Sequence, residues 1–261
     1  MRSLSIAATG MLAQQTNIDV IANNIANLNT TGFKRQRPEF QDLLYQNLRR
    51  VGSASSDAGT IVPSGVQLGV GVKSASVYRI TAQGNLISTS NTLDLAIQGK
   101  GFFHIQLPNG DDAYTRAGTF QLSAQGQIVT QDGFVVAPSI TIPSGATDVS
   151  INENGEVEVK LDGQVAPQNV GQIELATFPN EPGLEAIGDN LLLETPASGT
   201  ATTGTPGATG FGTLQQGFLE ISNVDAVSEI TNMIQAQRAY ELNSKVITTA
   251  DQMMSAVNQL R

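Results

Sequence analysis

The sequence predicts an α+β protein: N- and C-terminal helices paired in a coiled-coil-like domain, with an irregular antiparallel β domain between them. Three observations predict it. Only Gly10, Gly32 and Pro38 punctuate the first 45 residues and neither residue type occurs from Phe218 onward, so the other 24 glycines and nine prolines lie in the middle. Apolar residues recur every seven positions at both ends. Four Asn-Gly or Asp-Gly dipeptides, the favoured hairpin turns, fall between short alternating apolar runs.

At the N-terminus Leu4, Met11, Ile18 and Ile25 form one heptad row, and Ala7, Gln14, Ile21 and Leu28 follow three positions later. That pattern predicts a helix over 3–28 with a seam for another helix. Gln14 interrupts the seam, and Asn23, Asn24 and Asn27 flank it. Asn is a poor residue for a helix interior because its amide competes for nearby backbone groups. The C-terminal helix is expected from about Ser222, with Ser222 and Asp225 in a capping arrangement. Two stripes run along it: Met233, Tyr240, Ile247 and Met254, then Ala239, Val246, Met253 and Leu260. They lie about 120° apart at 100° per residue, which gives either one wide apolar face or, the favoured reading, contacts with several helices of an assembly.

The predicted domains are 1–30 with 222–261 (helical), 31–68 (an extended connector) and 69–221 (the β domain), with a flexible loop at 197–213. In the β domain, Leu93, Leu95 and Ile97, then Phe103, Ile105 and Leu107, have strand spacing. Asn109-Gly110, Asp132-Gly133, Asn154-Gly155 and Asp162-Gly163 mark the turns. The loop at 197–213 is low in complexity and carries no charge.

Composition narrows the function classes. The chain has 261 residues, net charge −9, 14% charged residues and no cysteine, so a disulfide framework and Cys-based metal sites are excluded. Residues 1–50 carry +3 and the remainder −12, too little basic surface for a nucleic-acid binder. The apolar run in "MRSLSIAATGMLA" is broken by Ser5, Thr9 and Gly10, which fits a mature amphipathic helix better than a cleaved signal. His104, the sole histidine, lies in the strand "FFHIQL" on the face opposite Phe103 and Ile105 and reads as a surface histidine. "GVQLGVGVKS" fails as a phosphate loop because Val72 separates Gly71 from Lys73. No catalytic residue, cofactor site or metal site is expected, and the chain is read as not an enzyme. A membrane-inserting translocator is disfavoured by Gln14, Asn23, Asn24, Asn27, Asn232 and Asn243, which are expensive against lipid.

"ANNIANLNTTGFKRQ" (22–36) resembles the N-terminal signature of the flagellar axial proteins, the rod, hook and hook-associated family, and "NMIQAQRAYELNSKVITTADQMM" (232–254) resembles their C-terminal signature. "RPEFQDLLYQNL", "QGNLISTSNTLDLAIQGKGFF" and "YTRAGTFQLSAQGQIVTQDGFVVAP" are similar to the distal-rod members. A proximal-rod or short hook protein of the same family is the alternative. The resemblance implies a structural subunit of a helical homopolymer, a hollow drive shaft around the export channel that transmits torque from motor to hook. It implies as partners other copies of the chain, proximal rod proteins, the hook protein, peptidoglycan and outer-membrane ring proteins and the export apparatus, with no nucleic acid and no direct membrane insertion. It places the chain in the basal body, in a rod crossing the periplasm, exported by a type III route without a cleaved signal peptide.

The expected assembly interface is Leu4, Met11, Ile18, Asn23, Asn24, Ile25, Asn27 and Leu28 with Met233, Tyr240, Leu242, Val246, Ile247, Met253 and Leu260. In this reading the Asn amides fix register between neighbouring helices. Gly32 stops the helix, Phe33 anchors the turn, and Lys34, Arg35 and Arg37 form an inter-subunit basic segment.

Overall fold

A computed structural model describes residues 2–49, 64–163 and 166–259. It contains a long helix at each end, α1 (Arg2–Ala26) and α2 (Ala226–Gln259), and an antiparallel β-rich middle. The chain divides into two compact units. One comprises Met1–Ile25, Gln36–Tyr78 and Asp225–Arg261; the other comprises Ala26–Arg35 and Arg79–Val224.

In the first unit, α1 ends two residues before Leu28, where Thr30 N–H bonds back to Asn27 O (3.2 Å). α2 begins later than Ser222. Its cap is Asp225 alone, whose Oδ1 accepts Val227 N–H (3.2 Å) while Oδ2 accepts the Ser228 hydroxyl (2.6 Å). Ser222 is buried outside the helix, its Oγ accepting Val224 N–H. The described part of the expected connector is largely strand. Gln36–Asp42 pairs with Val72–Arg79, and Tyr45–Arg49 pairs antiparallel with Val66–Gly69. Leu43 N–H to Gly71 O (2.8 Å) joins the two ladders into one ribbon. In Val66–Gly69 the apolar Val66 and Leu68 alternate at strand spacing. The remainder of the expected connector, 50–63, lies outside the described residues. The ribbon also shifts the boundary, because 36–78 groups with the helices while 26–35 groups with the β unit.

In the second unit, strand Phe102–Gln106 organises the largest sheet. Along one edge it pairs with Asp112–Thr115 through the Asn109-Gly110 turn; along the other it pairs with Val135–Val136 and Leu175–Thr177. The Asn154-Gly155 and Asp162-Gly163 turns join Ala146–Ile151, Glu156–Leu161 and Gln168–Gln172 into a three-stranded sheet. Strand alternation sends Phe103 and Ile105 into a core with Leu95, Ile97, Phe120, Val157 and Leu214, and Phe103 meets Phe120 edge-on at 5.0 Å. The opposite face carries Phe102, Tyr114, Phe178 and Leu184. His104 is half-buried on that face, stacked on Tyr114 with Nε2 2.9 Å from Asp112 Oδ1.

The segment expected as a flexible loop is tied down instead. Thr202–Gly204 pairs with Leu175–Thr177, and Ser198 is fully buried with its hydroxyl donating to Thr195 O (2.8 Å). The small, uncharged residues that read as a linker are those that fit this tight packing. A Cβ on Gly204 would lie 2.6 Å from the Phe211 ring.

Candidate assembly surface

The two helices of the first unit run antiparallel. Asn24 bonds Glu229, and Gly10 lies against Asn243. Those contacts are separated by two heptads on each helix, in opposite directions. The buried line of α2 is Glu229, Ala236 and Ala250, with Asn243 half-buried between them. Opposite it α1 buries Ala7, Ala13, Val20, Ile21 and Asn24. Apart from Val20 and Ile21 these are small or polar residues, which let two helix backbones approach closely. A Cβ on Gly10 would lie 2.9 Å from Asn243 Nδ2. On α1 the expected heptad row supplies Ala7 and Ile21 to the buried set, whereas on α2 a search for large apolar heptads misses the line, whose visible signal was a heptad of Ala and Asn beside the apolar rows.

The residues expected at an interface therefore divide. Leu4, Met11, Ile18 and Ile25 on α1 and Met233 and Ile247 on α2 flank the seam and are half-buried, as are Asn27 and Leu28 in the turn beyond α1. Tyr240, Leu242, Val246 and Met253 remain exposed, Leu242 by 65% and Met253 by 60%, and Asn23 is exposed. Leu260 lies outside the described residues. Val227 (74%), Ile230 and Ile234 are exposed on the side of α2 away from the seam, and Leu12 is exposed on α1. The ribbon adds Leu44, 87% exposed, with Tyr45, Leu48, Val66 and Leu68. A two-stranded ribbon is marginal by itself in water. This one is braced on α1, where Val72 N–H reaches Thr9 Oγ1 (3.4 Å).

Asn24 answers why asparagines crowd the end of α1. It is buried, its amide donating to Gln36 O (2.8 Å) and Glu229 Oε2 (3.2 Å) and accepting Gln36 N–H (2.8 Å). The chain leaves this unit at Ala26 and re-enters at Gln36, and one side chain clamps exit, re-entry and the first turns of α2 together. The Asn24 amide, expected to bond a neighbouring helix, makes these bonds within the chain, one of them to Glu229 on α2.

A second polar node lies within the β unit, where the segment after α1 meets the residues before α2. Gly32 adopts φ +69, and its N–H donates to Glu220 O (2.8 Å); a Cβ there would lie 2.7 Å from Ala117 N. Phe33 is half-buried in that turn. Lys34 does not face outward as a basic segment would. Its Nζ is buried against Glu220 Oε1 (2.5 Å) and Ala82 O (3.0 Å). Arg116 Nε holds the other oxygen, Glu220 Oε2, at 2.6 Å, and Gly84 N–H donates to Oε1 (2.8 Å). Arg116 also donates to the carbonyls of Gly101, Ile97 and Gly99. Arg35 is half-buried with its N–H on Asn223 Oδ1 (2.6 Å), and Asn223 donates in turn to Ile80 O and Ala82 O. Arg37, in the first unit, is exposed. Sequence reasoning missed Glu220 and Arg116, which resembled ordinary strand-end charges.

Burial alone would raise the Glu220 carboxyl, but Arg116 and Lys34 outweigh it and hold the carboxyl below its usual range. Lys34 has the opposite balance: burial pulls its ammonium below 10.5 because one carboxylate does not offset the lost hydration. Two cations against one anion make the difference. Among the described residues no three His, Cys, Asp or Glu gather as a metal site, and no helix is long and apolar enough to cross a membrane.

Comparison with known proteins agrees with this geometry at both ends and in the middle. The flagella basal body rod protein family matches residues 4–34, the flagellar hook protein FlgE/F/G D1 domain matches 96–159, and the flagellar basal body rod FlgEFG protein C-terminal family matches 215–260. The flagellar basal-body rod protein FlgG of Caulobacter vibrioides is 66% identical over the whole of both chains. That of Agrobacterium fabrum is 52% identical over 99% of each, and that of Bacillus subtilis 42% identical over 100% of this chain and 99% of that one. The solved hook protein FlgE2 of Helicobacter pylori, at 16% identity and TM-score 0.25, covers 60% of this chain and 47% of its own. With full-length relatives at this identity, the chain belongs to the flagellar basal-body rod protein family.

Proposed function

We propose that the chain is the structural subunit of the distal rod, stacking helically into a hollow shaft that encloses the export channel and carries torque to the hook. The observation that carries the reading is the apolar surface surrounding α2. Val227, Ile230, Ile234, Leu242, Val246 and Met253 stay exposed after α1 has covered the seam. Burying an apolar side chain is worth about 1.5–3 kcal/mol, so several helices from other copies would gain a large driving force by packing there. The exposed ribbon supports the same reading. No enzymatic role is proposed. The partners would be other copies, the proximal rod, the hook, the peptidoglycan and outer-membrane rings and the export apparatus, in a rod spanning the periplasm.

The test is electron microscopy of basal bodies purified from cells carrying a tagged chain. Label confined to the segment just below the hook supports the distal rod. Label at the membrane-proximal end or in the hook itself would assign the chain to another axial segment. Val246→Asp in the same cells should leave soluble subunit but no labelled rod.

A further inference from the structure

The Glu220 node opens onto a cavity of about 220 Å³ within the β unit, lined among others by Lys34, Thr81, Gln83, Lys100, Arg116 and Glu181. Three cations meet two carboxylates there, Glu220 behind the wall and Glu181 on it, leaving one positive charge at the cavity. Lys100 is exposed and makes no ion pair among the described residues. Lys34 uses two of its three donors on Glu220 and Ala82 O. The sign is the reverse of the surroundings: by sequence this unit holds six Lys and Arg against fifteen Asp and Glu, net −9, while the helical unit is neutral at eight against eight. A positive cavity on an acidic unit is a point of charge complementarity.

We infer that this cavity receives a carboxylate, the side chain of an Asp or Glu on a second copy of the chain or a free small carboxylate. One net positive charge suits a monoanion. A phosphate dianion would leave surplus negative charge beside Glu181 and Glu220. Lys100 sits at the rim as the capturing cation, while half-buried Lys34 and buried Arg116 supply the fixed field. The second-copy source rests on the homopolymer reading above, because only a polymer brings the acidic unit of one copy to the cavity of the next.

Thermal unfolding of the full chain in 100 mM acetate against chloride, at equal pH and ionic strength, tests the site. Acetate should raise the melting temperature by about 3 °C. Lys100→Gln, a change on an exposed side chain, should remove at least half of that gain, and Glu181→Gln should enlarge it. An acetate effect equal in wild type and Lys100→Gln is a bulk solvent effect and overturns the inference. Polymerisation identifies the source. If acetate raises the critical concentration of wild type about threefold but not that of Lys100→Gln, the carboxylate comes from a second copy. If acetate binds without affecting polymerisation, the ligand is a free small carboxylate. A chain that polymerises in neither buffer defeats the homopolymer reading, while the thermal comparison still decides the site.

Discussion

Removing the Glu220 carboxylate should destabilise the β unit more than any other single charge deletion in it. Glu220→Ala leaves Lys34 and Arg116 buried without their anion and frees the Gly84 N–H, while Arg116 keeps its three carbonyl partners. Breaking a buried ion pair from one side costs about 3–5 kcal/mol. In a unit of this length each kcal/mol moves the midpoint by about 2–4 °C, so scanning calorimetry should show a fall of about 10 °C. Lys34→Met is the informative contrast. It removes a cation whose burial already outweighs its bridge, and Glu220 keeps Arg116, so the loss should stay below about 1.5 kcal/mol. The double variant should cost less than Glu220→Ala alone, because one stranded cation has gone.

The pH dependence follows from the sign of the shift. A carboxyl held below its unfolded value of 4.5 contributes stability that is complete above that value and lost as the pH falls through the folded value. Wild type and Glu220→Gln should therefore differ at neutral pH and converge in acid. If Glu220→Ala moved the midpoint by less than 2 °C, or if the gap to Glu220→Gln persisted unchanged well below pH 4, the node would not be a stabilising charge cluster and the reasoning would fail.

Asn24→Ala should cost the helical unit about 1–3 kcal/mol by stripping Gln36 of both bonds and Glu229 of one, read as earlier exchange of the α1 amides. Gly118→Ala should abolish native folding of the β unit, since its Cβ would fall 1.6 Å from Leu95 O, a backbone atom; a soluble variant with native near-UV dichroism would contradict this. Val246→Asp should leave the melting of the monomer unchanged within about 0.5 kcal/mol, because the side chain is exposed, while preventing polymerisation if the proposed homopolymer covers it. Limited proteolysis of dilute monomer should spare the β unit and cut first in the helical ends, where large apolar residues stay exposed; equal resistance of both units would contradict this.

The fold was legible wherever a residue pattern has one structural solution. Hairpin dipeptides admit few backbone conformations, so the turns at Asn109-Gly110 and Asn154-Gly155 could be placed from sequence. The glycine-poor ends likewise announced two helices. What escaped was whatever depends on partners distant in the chain. The connector was expected to be extended, but the pairing of Gln36–Asp42 with Val72–Arg79 was not, and the supposed flexible loop became strand because Thr202–Gly204 finds Leu175–Thr177. The candidate surface shows the same division. Large apolar stripes on α2 were visible, but reading them as the internal seam would have reversed inside and outside, since the packed line is Ala236, Asn243 and Ala250 and the large residues stay on the flanks and outer sides. The arrangement has a physical logic. Small residues let α1 and α2 approach closely at little apolar gain, and that reserves the large apolar side chains for contacts the single chain does not make. A subunit that spent Leu242, Val246 and Met253 on its own core would be more stable alone and would have less to gain from a neighbour. Moving the apolar bulk inward, for instance Ala236→Leu with Met253→Ser, should therefore weaken polymerisation on both counts, through seam overpacking and through loss of outer surface. Recovery of polymer by restoring Met253 alone would assign the larger share to the outer face.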